Sequence, residues 1–226
     1  MYNPASILHT VERHLADHDA PRTAVFTLGT NHVYILNETG EIVDNCQKRP
    51  QRLFTERELT VDECASYLRR AVETLRAKRD DVRVIITVSP IRYAKYGFHG
   101  SQLSKATLLL AADKLVKEYA SERASKEKAC EVAYFPAYEI VNDELRDYRF
   151  YREDMLHPSD QAVKYIRQRF ADTFFSDNTR EFLKKWQPIK AALCHRPFNP
   201  DSEEYKAFLA KAKEDERRLV EEFDGK

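Results

Sequence analysis

Three short apolar runs separated by helical patterns constrain this chain more than any other feature. Ala24-Val-Phe-Thr-Leu28, Val82-Arg-Val-Ile-Ile-Thr-Val88 and Glu131-Val-Ala-Tyr-Phe135 are rich in β-branched and aromatic residues and are closed by Gly or Pro. Each therefore reads as a buried strand. Ile7, Leu8, Val11 and Leu15 recur at helical spacing before the first run. Cys64, Leu68, Val72 and Leu75 do so between the first and second, and Leu103, Leu108, Ala111, Leu115 and Tyr119 between the second and third. A parallel connection needs a crossover helix, so this order implies an α/β fold with a parallel sheet covered on both faces. Ligands of such sheets bind at the carboxyl ends of the strands.

The remaining segments fit around that frame. Val33 to Val43, with Asn37-Glu-Thr-Gly40 between apolar flanks, predicts a small hairpin inserted after the first strand, a candidate lid or wall. Tyr138 to Asp147 reads as a short helix, followed by the aromatic run Tyr148-Arg-Phe-Tyr151 and then Asp154-Met-Leu-His157-Pro-Ser159. Ser159 is placed to cap an amphipathic helix holding Val163, Ile166 and Phe170. From about Asp177 the composition turns to charged helix, with Pro188, Pro197 and Pro200 as breaks and Phe182, Trp186 and Phe208 to pack it. The expected organisation is a main domain over 1–176 and a helical appendage over 177–226.

Charge and cysteine content remove several function classes. Lys plus Arg and Asp plus Glu both total 37, so no field of one sign draws the chain to nucleic acid or an anionic membrane. Cys46, Cys64, Cys130 and Cys194 form no Cys-x-x-Cys pair, which argues against structural zinc and a disulfide framework and points to a reducing, cytoplasmic-type compartment. The seven histidines show no ligand spacing, and no metal or cofactor is expected. No apolar run approaches the ~20 residues that span a bilayer, and the amino terminus has no signal-like pattern.

Asp154-x-x-His157 is the sharpest chemical pattern. A carboxylate three residues before a histidine, in the loop entering a helix, bonds one imidazole nitrogen and leaves the other to take a proton from a serine. The same residues also suit a plainer arrangement, with Asp154 paired to a neighbouring arginine and His157 packed on Pro158. Leu28-Gly29-Thr30-Asn31 follows the first strand, where a glycine admits substrate to the backbone and an Asn amide can donate to an oxyanion; an ordinary turn is the alternative. Asn45-Cys46-Gln47-Lys48 sets a thiol beside a cation, unless Cys46 is a small packed residue. His99-Gly-Ser101-Gln-Leu-Ser104-Lys105 offers hydroxyls and a lysine for an anion at a helix start, with Ser101 or Ser104 as a simple N-cap otherwise.

These pieces occur in one order. Thr27-Leu-Gly-Thr30 with Val33-Tyr34, Asn45-Cys46 with Lys48, Thr87-Val-Ser-Pro90 with Arg92, Leu103-Ser-Lys-Ala106, Tyr134-Phe-Pro136 with Tyr138-Glu139, Leu145-Arg-Asp-Tyr-Arg-Phe-Tyr151, Glu153-Asp-Met155 and His157-Pro-Ser159 together closely resemble the GSCFA family over roughly residues 2–170. That family looks like a branch of the SGNH (GDSL-like) hydrolases, which implies a three-layer α/β/α sandwich with a parallel sheet of flavodoxin-like order, a serine nucleophile and an Asp-x-x-His pair before the last helix. The resemblance implies His157 as general base, Asp154 as its orienter, and Gly29, Asn31, Asn45, Lys48, Arg92 and Lys105 at the oxyanion and substrate positions. The substrate class it implies is a small-molecule, carbohydrate or lipid ester.

The sequence departs from the family pattern at Gln47, Tyr93 and Ser101, where His, His and Asn are usual. The Gly-Ser-Cys-Phe-Ala motif that carries the serine should precede Tyr2-Asn-Pro-Ala-Ser6, and it does not occur in these residues. The chain alone is therefore expected to be inactive, and the absent strand to be central in the sheet, leaving an apolar edge exposed. A catalytically inactive binding or scaffold domain of the same fold is the rival reading. A flavodoxin-like nucleotide site would need a Gly-rich loop, which the five glycines do not form.

Overall fold

The computed structural model describes residues 3–43, 49–125 and 130–223. The chain divides into two compact units, Met1–Ile166 and Arg167–Lys226.

In the first unit, α1 (Pro4–Asp17) starts where Asn3 Oδ1 accepts from Ser6 N and Ser6 Oγ accepts from Asn3 N, with Pro4 in the first turn, where its missing N–H costs nothing. Three strands form the parallel sheet in the order β1 (Thr23–Leu28), β5 (Arg83–Val88), β6 (Glu131–Phe135). β1 runs against β5 in continuous register from Thr23 opposite Arg83 to Leu28 opposite Val88. β5 is thus central among these three strands, with β1 and β6 at the outer edges. β1 is one such edge, and its Val25 is 48% exposed.

Every residue of β5 from Val84 to Val88 is buried. Val84, Ile86 and Val88 join a core with Leu8 of α1, Leu68 and Val72 of α2 (Val61–Arg76), and Leu108 and Leu115 of α3 (Gly97–Ser125). Ile85 is buried outside that cluster, on the alternate face of the strand. The sheet is thus covered on both faces at β5. At β1, Thr23, Val25 and Thr27 are exposed, so coverage there is one-sided among the described residues, unlike the two-sided coverage expected.

The predicted hairpin is present as β2 (His32–Leu36) and β3 (Ile42–Val43), turned at Gly40 with φ +73°, a left-handed conformation that favours glycine. A strand the sequence did not suggest, β4 (Phe54–Glu58), pairs with the other edge of β2 to make a three-stranded antiparallel sheet. Glu56 of β4 accepts from Lys95 Nζ at 2.6 Å and Tyr96 Oη at 2.7 Å, which fastens this sheet as a wall beside the start of α3.

After β6 the short α4 (Ala137–Glu139) passes into a π-helical turn over Ile140–Leu145, ended by Arg146 in the left-handed region. α5 (Asp160–Phe174) follows with Ser159 Oγ accepting from Ala162 N, although Val163 is 41% exposed rather than on a packed face. In the second unit α6 (Asp177–Leu193) and α7 (Glu203–Phe223) run antiparallel, with Phe182 against Trp186 and Phe223. Pro188 lies inside α6 and costs it one backbone hydrogen bond rather than breaking it, while Phe208 is 44% exposed and packs edge-on against His195.

Candidate functional site

Asp154 and His157 sit in the turn that leads into α5. Asp154 Oδ1 accepts from the backbone N–H of Leu156 at 2.8 Å and of His157 at 2.9 Å, an Asx-type turn closed by the side chain itself. Its second oxygen, Oδ2, lies 2.6 Å from His157 Nδ1. These donors, the His157 amide foremost, hold the Asp154 carboxyl down at about 2, so it is ionised at neutral pH. An ionised carboxylate only accepts, so Nδ1 carries the proton and Nε2 of a neutral ring is left as acceptor. The His157 side chain is half exposed. Nε2 has no hydrogen-bond partner among the described residues.

Arg92, four residues beyond the end of β5, ties this turn to the carboxyl end of the sheet. Its backbone N–H donates to Leu156 O at 3.1 Å, and its guanidinium lies 4.0 Å from the centre of the Tyr151 ring. A second polar cluster lies at the end of β1. Lys105, only 2% exposed, donates from Nζ to Gly29 O at 2.5 Å and sits 5.2 Å from the Tyr93 ring centre. No carboxylate pairs with it among the described residues, and burial pushes the ammonium down to about 7. Ser104 Oγ accepts from Asn31 N at 3.0 Å and lies 3.3 Å from Thr30 Oγ1. Asn31 Nδ2 donates to Leu59 O at 2.8 Å, which commits that amide to holding the loop against the start of α2; its Oδ1 is buried without a partner among the described residues.

The structure thus gathers Gly29, Asn31 and Lys105 in one cluster and Arg92, Asp154 and His157 in another, with consecutive residues Arg92 and Tyr93 reaching one each. Asn45 and Lys48, with Cys46, lie outside the described residues. Ser101 and Ser104 are not caps. α3 begins earlier, at Gly97 with φ +66°, so both serines lie inside it, and Ser101 Oγ accepts from Tyr93 N at 3.2 Å. Tyr93 is the residue whose part the sequence did not indicate, since only the fold brings its ring over Lys105. No group of three or more His, Cys, Asp or Glu side chains suited to a metal ion occurs among the described residues. Nor is any helix among them long and apolar enough to cross a membrane.

Fold and site define an α/β protein with a parallel sheet, whose polar side chains collect beyond the carboxyl ends of β1 and β5. The chain belongs to the GSCFA family, which it matches over residues 3–170, and residues 186–225 match the C-terminal domain of GSCFA domain proteins. Among solved structures it is similar to a carbohydrate esterase family 3 protein from Talaromyces cellulolyticus, at 12% identity and a TM-score of 0.45. That likeness covers 76% of this chain and 66% of the esterase chain. No curated protein matches it.

Proposed function

We propose that the chain is the base-bearing part of an SGNH-type serine esterase or acyl hydrolase acting on a small-molecule, carbohydrate or lipid ester. The observation that carries this reading is the 2.6 Å contact between Asp154 Oδ2 and His157 Nδ1, which leaves Nε2 open to solvent-side chemistry. In the reaction a serine Oγ attacks the ester carbonyl as His157 Nε2 takes its proton. Asp154 holds the ring and stabilises the imidazolium. His157 then returns the proton to the leaving alcohol, and water repeats the sequence to release the acid. Backbone amides near Gly29 are the candidate donors to the tetrahedral oxyanion, since the Asn31 amide is occupied by Leu59. The attacking serine is assigned to the family motif upstream of Tyr2. The test is hydrolysis of 4-nitrophenyl acetate by the protein from its native cells and by its His157→Ala variant. A rate lost in the variant supports the reading, and an unchanged rate refutes it.

A second reading is favoured by the same histidine. No hydroxyl of the described residues meets Nε2, as an inactive binding or scaffold domain of this fold would have it. A folded native protein inert towards esters of every acyl length selects this reading.

A further inference from the structure

The run Arg146-Asp-Tyr-Arg-Phe-Tyr151 takes no part in the proton transfers above, yet it builds most of a cleft of about 180 Å³. Arg92, Asn142, Arg146, Tyr148 and Tyr151 line it. That volume suits one sugar-sized group rather than a whole ligand of drug size, which needs at least ~300 Å³. Neither Arg92 nor Arg146 forms an ion pair with a carboxylate among the described residues; the Arg92 guanidinium lies over the Tyr151 ring and donates to the Met155 carbonyl at 3.4 Å. Asp147, the carboxylate on the cleft wall, accepts from Arg149 N at 2.9 Å and has the Arg149 Nε 3.9 Å away, so it is already partnered.

Tyr151 forms a nine-tenths-buried wall of the cleft, and its hydroxyl, shut off from solvent, has no hydrogen-bond partner among the described residues. Arg146 adopts φ +49° directly after the π-helical turn, a conformation unfavourable for a non-glycine residue, and π-helical turns gather at functional sites. Tyr148, 67% exposed at the rim, offers a flat apolar face of the kind that stacks on a sugar ring.

We propose that this cleft binds an oxyanion, a carboxylate or phosphate carried on a sugar-sized group, held between the guanidinium groups of Arg92 and Arg146. Planar guanidinium forks match both groups in bidentate geometry. Because the Arg92 backbone donates to Leu156 O, next to His157, the cleft adjoins the Asp154–His157 turn. Its use as a substrate subsite rests on the hydrolase reading; its binding of an anion does not.

The test is isothermal titration calorimetry of the full chain with sodium glucuronate, glucose 6-phosphate and glucose. Both charged sugars, or one of them, should bind saturably while glucose does not, and the preferred one identifies carboxylate or phosphate as the natural group. Arg146→Asn removes the charge at an exposed position while keeping a residue that tolerates the left-handed conformation, and it should weaken binding at least tenfold. Arg92→Lys, which keeps the charge but loses the fork, should weaken it less than Arg146→Asn. The proposal is overturned if neither anion gives saturable heat, if glucose binds equally well, or if Arg146→Asn binds as the parent does. Calorimetry reads binding with or without ester turnover, so failure of hydrolysis leaves the result standing.

Discussion

Lys105 donates from its buried ammonium to the carbonyl of Gly29 at 2.5 Å, joining the first third of α3 to the loop after β1 with no carboxylate among the described residues to balance the charge. One backbone dipole and the face of the Tyr93 ring compensate only part of the desolvation that a buried cation suffers. The lysine is therefore a site where stability is given up.

That deficit sets a pH dependence with a definite sign. The folded-state ammonium lies near 7 against an ordinary value of 10.5. Between those values the unfolded chain binds more protons than the folded one, so stability rises with pH across that window and is flat with respect to this group below it. The full span is on the order of 5 kcal/mol. Lys105→Met should abolish the rise and stabilise the protein at pH 6 by roughly 1–4 kcal/mol, read from urea unfolding at pH 6 and 9. A variant that keeps the parent's pH slope would contradict the assignment.

Asp154 acts on His157 without being protonated itself in the working range, since its carboxyl is held near 2. Asp154→Asn keeps the shape but replaces the acceptor that fixes Nδ1 as the protonated nitrogen. Hydrolysis of 4-nitrophenyl acetate by the native protein should fall by about 10²- to 10⁴-fold in kcat with KM little changed. Equal loss in KM would instead mark the pair as structural.

The capping box at the start of α2 is a local stability element. Thr60 Oγ1 accepts from Glu63 N at 3.2 Å, and Glu63 Oε2 accepts from Thr60 N at 2.8 Å. Thr60→Ala should cost about 1 kcal/mol in chemical denaturation. Glu63 is held down at about 2, first by Arg57, so its contribution is complete above its ordinary 4.5 and is lost as pH falls towards 2. Glu63→Gln should flatten that acid limb of the stability profile.

Arg146 separates strain from binding. Arg146→Gly removes the left-handed penalty and should raise stability by up to about 1 kcal/mol, measured as a shift in urea midpoint, while the cleft loses a cation. A destabilised Arg146→Gly would mean that the arginine side chain holds the turn together.

The contrast between β5 and β4 shows which parts of this fold are legible in sequence. Val84 to Val88 is apolar at almost every position because both its faces are buried, and such a run marks a strand by itself. Phe54-Thr-Glu-Arg-Glu58 carries three charges and becomes a strand only by pairing with β2, a non-local partner. The helix of α3 was legible but its start was not: Gly97 opens it, and the serines that resembled caps sit within it facing Tyr93 and Asn31.

The site divides along the same line. Asp154 and His157 meet across three residues, within one turn, so their spacing alone predicts their contact. Gly29 meets Lys105, and Arg92 meets Tyr151, only after the sheet has assembled. Their residue types mark them as polar candidates, whereas which partner each finds is a property of the packed fold. The left-handed Arg146 has no sequence signal at all, because that position would ordinarily call for Gly or Asn.

The central claim is that His157 serves a serine nucleophile, and the most direct measurement is the mass of the protein isolated from its native cells after treatment with a fluorophosphonate. The account predicts a single phosphonyl adduct on a serine in a Gly-Ser segment upstream of Tyr2, lost in His157→Ala. A chain of 26.4 kDa carrying no adduct would contradict it and leave the binding-domain reading in its place.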